Sequence, residues 1–356
     1  MKATRRTINH AEAAGTAIYE PVGGTEAKQT MTKMNMVEAL NLAMDEALEA
    51  DDNVVLLGQD IGLDEGVFRV TANLLKKYGR TRVIDTPLAE GAIAGGAVGL
   101  ALHGMRPVAE MQFSGFAYQA FHQIEQQISR FHTRTRGRFK MRMVIRMPYG
   151  GGIRAIEHHS ESREAYYAHT PGLHMVIPSS PRNARALLAA SIRSEDPVIF
   201  FEPKAVYRSF KEDVPEAPEV MEIGRSQVVR EGNDVTIISY GAMMRPVLEA
   251  AEELVEEDGA SPEIIDMLTV SPMDTETITR SVEKTGRALI VHEGPRSCGI
   301  GAEVVARIVE NSLMYLEAPI RRITGYDVQF PYFARERAFL PNTSRIVRAA
   351  RETLAF

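Results

Sequence analysis

The chain has 356 residues, 44% apolar and 25% charged, the balance of an ordinary globular protein with material for about two domains. Lys and Arg total 41 against 47 Asp and Glu, and the net charge of −6 with His neutral excludes a global basic field for nucleic acid. The single cysteine, Cys298, excludes intrachain disulfides and cysteine-built metal sites and fits a reducing cytoplasm, and no apolar run is long enough to predict a membrane span.

Residues 1–31 carry Arg5 and Arg6 but no apolar core of a secretory signal and no sustained period. They read as a flexible N-terminal extension. From Met36 onward two patterns alternate. Helical periodicity is expected over 37–50, 89–102, 117–131, 181–193, 244–257 and 301–313. Short runs that are nearly all apolar lie between them, at 54–58, 82–87, 106–113, 143–148, 175–178 and 198–203. Strands buried on both faces read this way and belong to parallel sheets flanked by helices. The stretch 208–225, with Pro215 and Pro218, has no period and is expected as a linker. Beyond it the alternation resumes at 235–241, 263–269, 287–293 and 320–326. The fold class is therefore α/β, with two domains, each a mainly parallel sheet flanked by helices.

Open parallel sheets bind ligands beyond the carboxyl ends of their strands. The residues there are Gln59 and Asp60, Leu88 to Glu90, Gln112 to Phe116, and Tyr149 to Gly152 with His158 and His159 following. Glu90 opens a helix that holds Gly91, Gly95, Gly96 and Gly99. Each glycine costs about 1 kcal/mol against alanine, so four imply close packing against another backbone. From the residues alone Glu90 is either an acid complementing the helix dipole or a catalytic carboxylate. His158 and His159 cannot both point one way, and no HExxH spacing is present, so one histidine in hydrogen bonding or proton transfer is the chemical reading. Gly150 to Gly152 match no phosphate-binding motif and suggest a tight turn or a close backbone approach. The basic run from Arg130 to Arg142 reads as a solvated or subunit-facing surface.

Seven blocks in order, LLGQDIG (56–62), GVFRVT (66–71), VIDTPLAEGAIAGGAVGLALHGMRPVAEMQF (83–113), HHSES (158–162), HTPGL (169–173), DPVIFFEPK (196–204) and SVEKTGRALIVHE (281–293), carry a family resemblance. The chain resembles the beta subunit of the thiamine-diphosphate-dependent decarboxylating component of 2-oxo acid dehydrogenase complexes. Pyruvate and branched-chain 2-oxo acid dehydrogenases are the main members. The resemblance implies a transketolase-like pyrimidine-binding domain over 32–207 and a transketolase C-terminal domain over 226–356. It also implies an alpha-two beta-two heterotetramer with the cofactor, thiamine diphosphate, between alpha and beta. Magnesium and the diphosphate would be held by a GDG motif on the alpha subunit, and this chain has no GDG. A lipoyl-bearing dihydrolipoyl acyltransferase core would be the further partner, with no nucleic acid and no membrane involved, in the cytoplasm.

By the same resemblance, Glu90 hydrogen-bonds N1′ of the aminopyrimidine as general acid–base, and Phe116 stacks on that ring. Leu88 and Gln112 are neighbouring contacts, and His159 stands at the active-site mouth to position substrate or the lipoyl group. Family members usually have an acid where this chain has Gln59, in a polar tunnel joining two active sites, and Asp60 is the acid left beside it. A potassium site in some members places backbone-carbonyl ligands near Met143, Ser191, Ser194 and Asp196. Acetoin dehydrogenase beta subunits share most of the blocks, and a silent scaffold of the same fold is the alternative from another class.

Overall fold

The computed structural model describes residues 30–356, so the expected N-terminal extension lies outside the described residues except at its last two positions. In chain order the strands are β1 (Met31–Met34), β2 (Val54–Gln59), β3 (Val83–Thr86), β4 (Arg106–Glu110), β5 (Val144–Tyr149), β6 (His174–Val176), β7 (Val198–Pro203) and β8 (Glu212–Pro215). There follow β9 (Gln227–Arg230), β10 (Val235–Ser239), β11 (Pro262–Asp266), β12 (Thr269–Ser271), β13 (Ala288–His292) and β14 (Arg321–Thr324). One sheet has the order β12-β6-β7-β5-β4-β2-β3, parallel except at the β12–β6 edge. The other has the order β14-β13-β10-β11-β9, parallel except at β9.

The all-apolar strands are explained by burial on both faces. Val54, Leu56, Val108, Val144 and Phe200 join one core, which helices Met36–Ala50 and Pro181–Arg193 cover with Leu40, Met44, Leu187 and Leu188. Leu57, Ala109, Ile145, Met147 and Phe201 join the other core, which helix Glu90–Leu102 covers with Ile93, Ala94 and Ala97. Asn35 starts the first of these helices through a capping box with Glu38, with bonds of 3.0 and 2.8 Å. β12 belongs to the second half of the chain yet completes the first sheet, with Thr269 opposite Val176 and Ser271 opposite Met175. The two halves therefore share an edge strand and cannot separate without exposing it.

Two expectations need correction. The stretch 208–225 contains β8, which pairs antiparallel with β1, and buried Arg185 donates to the carbonyls of Pro215 and Glu216. Pro215 hid this strand, since proline is tolerated only at a strand's edge or end. The single helix expected over 117–131 is instead an α segment, Tyr118–Gln123, then a π turn, Ile124–Ile128, with a further short helix at Phe131–Arg134. Such a π turn bends the chain just after the segment that carries Phe116.

Arg146 stands in the middle of an apolar strand and is fully buried. Its guanidinium donates to Glu202 on β7 at 2.6 and 3.0 Å and to Glu110 on β4 at 2.8 Å. Tyr207 donates to the same Glu202 carboxylate. Burial pushes the Glu110 carboxyl up, while Arg146 opposes that shift. Arg146→Met strands two carboxylates in the core and is expected to cost about 3–5 kcal/mol. Chemical denaturation checks this, and the triple change Glu110→Leu, Arg146→Met, Glu202→Leu is expected to restore most of the loss.

Candidate active site

The register sets the site. Gln59 lies opposite Thr86, Gly58 opposite Glu110, and Glu110 opposite Arg146, so the carboxyl ends of β2, β3, β4 and β5 form one edge. Glu90 is the first residue of its helix, where the aligned peptide dipoles favour a carboxylate. It is 5% exposed, and its Oε2 has no hydrogen-bond partner among the described residues. Thr86 Oγ1, on the same edge, is buried without a partner among the described residues. A Cβ built on Gly91 would lie 3.2 Å from the Gln119 carbonyl, so the Glu90 helix meets the segment just after Phe116 at backbone distance.

Gln112 Nε2 donates to Asp60 Oδ2 at 2.8 Å, which brings two of the expected residues together. Phe116 and His159 meet at 5.0 Å between ring centroids, and Phe113 meets both, at 5.3 and 4.4 Å. The His159 Nδ1 is buried with no partner among the described residues. Burial first, then the Lys204 charge and His158, hold its imidazole below the ordinary histidine range. His158 is exposed and turns to Glu157, 3.3 Å away. A buried carboxylate oxygen left unbonded, with an aromatic ring on the neighbouring segment, fits an aminopyrimidine edge: one group for a ring-nitrogen proton, one for the ring face.

Leu88 stands 67% exposed, and Leu63, Ile153 and Ile156, on loops after β2 and β5, are exposed as well. Ala92, Gly96 and Gly99 form an exposed strip of small residues along the Glu90 helix. The close backbone packing expected of its four glycines is met inside this chain at Gly91, whereas a Cβ at Gly99 would meet nothing within 4 Å. At Gly150 to Gly152 the expected close approach is present: a Cβ on Gly150 would sit 2.5 Å from Glu293 Oε1.

The potassium-type residues lie at the opposite edge. The Met143 carbonyl accepts from Val198 N–H at 3.0 Å, where β5 and β7 begin. The Ser191 carbonyl accepts from the Ser194 N–H at 3.2 Å and the Asp196 carbonyl from Ser194 Oγ at 2.9 Å. The Arg106 guanidinium donates to the carbonyls of Ile192 and Ser194, each at 3.1 Å. Of the four residues, the Ser194 carbonyl is the one that this guanidinium engages.

Sequence reasoning placed Phe113 within the Gln112 to Phe116 stretch without giving it a role, and missed Lys204, Glu293 and Glu336. Lys204 and Glu293 each stand one residue beyond a strand's carboxyl end, so the rule that found Glu90 could have found them. A separate cavity of about 610 Å³, lined by His169, Met273, Cys298 and Arg307 among others, includes none of the expected site residues.

Residues 32–209 match the transketolase pyrimidine-binding domain family and residues 224–346 the transketolase C-terminal domain family. The pyruvate dehydrogenase E1 component subunit beta of Staphylococcus aureus is 48% identical over 326 residues, spanning 92% of this chain and all of that protein. Its counterpart in Staphylococcus epidermidis is 47% identical over the same span. The chain belongs to the transketolase-like E1 beta-subunit family. A split-gene transketolase, described as an inactive beta4 tetramer, shares the fold with a TM-score of 0.74 and 24% identity, covering 91% of this chain and 99% of that one. The family depends on thiamine diphosphate, and this E1 beta chain is a 2-oxo acid dehydrogenase subunit. No helix among the described residues is long and apolar enough to cross a membrane.

In this E1 beta chain His292 ends β13 fully buried, stacked on Tyr240 at 6.2 Å, with neither ring nitrogen bonded among the described residues. Burial, then Arg322 and Arg296, pushes it down to about 4 from 6.5. The unfolded chain therefore takes up a proton that the folded chain refuses, and stability falls as pH drops from 6.5 to 4. The loss amounts to roughly 3 kcal/mol at the acid end. Denaturation midpoints measured across that range are expected to fall less steeply in His292→Phe than in the parent.

Proposed function

We propose that this chain is the beta subunit of a pyruvate dehydrogenase E1, acting with an alpha subunit in an alpha-two beta-two heterotetramer. Its reaction is the thiamine-diphosphate-dependent oxidative decarboxylation of pyruvate, followed by reductive acylation of the lipoyl group of a dihydrolipoyl acyltransferase core. The observation that carries this reading is the buried, unbonded Glu90 oxygen at the sheet's carboxyl edge. The choice of pyruvate over branched-chain 2-oxo acids rests on the relatives' names.

When bound, thiamine diphosphate supplies the electron sink for loss of carbon dioxide. Glu90 holds and returns the proton at the pyrimidine ring nitrogen. Phe116 and Leu88 flank the ring, and Gln112 sets Asp60 in place beside it. Gln59 can hydrogen-bond but carries no charge, so Asp60 is the acid available at this edge. His159, neutral at pH 7 because of its burial, positions the incoming acceptor at the mouth. Magnesium and the diphosphate fall to the alpha subunit.

Exposed Leu63, Leu88, Ile153 and Ile156, with the strip Ala92, Gly96 and Gly99, support a partner chain seated over this edge. The domain boundary belongs within 208–225, with β8 strapped back onto the first domain. The lone thiol of Cys298 suits the cytoplasm, where we place the enzyme.

Decarboxylation is measured with an artificial electron acceptor, thiamine diphosphate and magnesium, on this chain alone and co-expressed with an alpha subunit. The substrates are pyruvate, branched-chain 2-oxo acids and acetoin. Activity on pyruvate is expected only with the partner. Glu90→Gln is expected to assemble normally and to lose on the order of 10²–10⁴-fold in kcat. Full activity in that variant, or activity of the chain alone, overturns the assignment.

A further inference from the structure

Lys204 follows β7 and is 3% exposed, with its Nζ bonded to no acceptor among the described residues. An ammonium withdrawn from water in this way normally has a carboxylate in contact. Here the acids stand around it instead. Glu293, one residue past β13, accepts from the Gly151 N–H at 2.8 Å, and its Oε1 has no partner among the described residues. Glu336 accepts from the Gly152 N–H and keeps Oε2 unbonded. Glu164 accepts from the Tyr240 hydroxyl at 2.7 Å and faces Glu293. Lys204 Nζ also lies 5.6 Å over the Phe113 ring, and that ring meets His159 at 4.4 Å. One aromatic ring thus packs against both a buried cation and the active-site imidazole.

We propose that Lys204 is a positioning residue for the reaction: its buried ammonium, packed on the same Phe113 ring as His159, adds to burial in disfavouring a second positive charge at that imidazole. The second domain contributes Glu293 and Glu336, which favour the charge on Lys204. Burial pushes Lys204 down, and these two carboxylates oppose it, Glu293 more than Glu336. The groups facing His159 itself are Lys204, His158 and Glu157, of which only Glu157 favours the imidazolium. Below neutrality Lys204 carries its charge, and that is where His159 would otherwise take up a proton. The domain that contributes Glu293 and Glu336 thereby acts on the active site without touching substrate.

The inference rests on the proposed role of His159, and its test reads the imidazole directly. Exchange of the His159 C2 hydrogen is followed against pH by mass spectrometry on the full chain, and its midpoint reports protonation of that ring. Lys204→Met is expected to move the midpoint to higher pH, and Lys204→Arg, which keeps the charge, to leave it in place. An unmoved midpoint in folded Lys204→Met overturns the proposal, as does an equal move in Lys204→Arg. Should Lys204→Met fail to fold, Lys204→Gln decides. It removes the charge and keeps a polar end, so the midpoint is expected to rise, and an unmoved one overturns the proposal. In the assembled enzyme the acid limb of kcat/KM is expected to move with the midpoint. A limb that stays while the midpoint moves refutes the role of His159 and leaves the coupling to Lys204 standing.

Discussion

The buried ion triad on Arg146 is the constraint on which the site depends. It ties β5 to β4 through Glu110 and to β7 through Glu202. Those three strands end in the segments that carry Gln112 to Phe116, Gly150 to His159, and Lys204. A core of Val and Ile would hold the strands together as tightly, since burying an ion pair gains little over an apolar packing of the same volume. What the triad adds is register. A slip of one residue along β5 would turn Arg146 to the other face and leave two carboxylates without a cation. The sheet can therefore pair in one way only, and the loops above it start from fixed positions.

The second domain acts on the same loops from above. Glu293 and Glu336 accept the N–H groups of Gly151 and Gly152, and a side chain on Gly150 would strike Glu293. The positive φ of Gly150 and Gly152 turns these amides toward the carboxylates. β12, added from the second half of the chain to the edge of the first sheet, holds the two bodies in the orientation this grip requires. Together the triad below and the carboxylates above fix the start of the stretch that leads to His159.

Much of this was legible in the sequence, for a physical reason. Runs such as VVLLG and VIFFEP announce strands covered on both faces, and their carboxyl ends point to Gln59, Glu90, Gln112 and Phe116 without any structure. The misses have physical causes too. Arg146 sits in an apolar run, and hydropathy cannot say that two carboxylates on other strands await it. Pro215 concealed β8 because a proline argues against a central strand but not against a ribbon end. The π turn at Ile124–Ile128 leaves no mark on periodicity over so few residues. The pairing of Lys204 with Glu293 and Glu336 depends on how two domains meet, which no local pattern encodes.

Six of the buried polar atoms without a partner among the described residues gather in one place. Thr86 Oγ1, Glu90 Oε2, His159 Nδ1, Lys204 Nζ, Glu293 Oε1 and Glu336 Oε2 lie at or just behind one sheet edge. Each such atom costs about 1–3 kcal/mol if nothing satisfies it, so a fold selected for stability alone would not gather six of them. Groups held in this way are ready to bond to something that arrives. For Glu90 the arriving group comes from outside the chain, across an edge rimmed by exposed Leu63, Leu88 and Ile156. For Lys204 it does not, because the residue lies behind Phe113 with the second domain over it. The same local cost thus serves two ends, one facing the cofactor and one facing inward, and the Phe113 ring is where they meet.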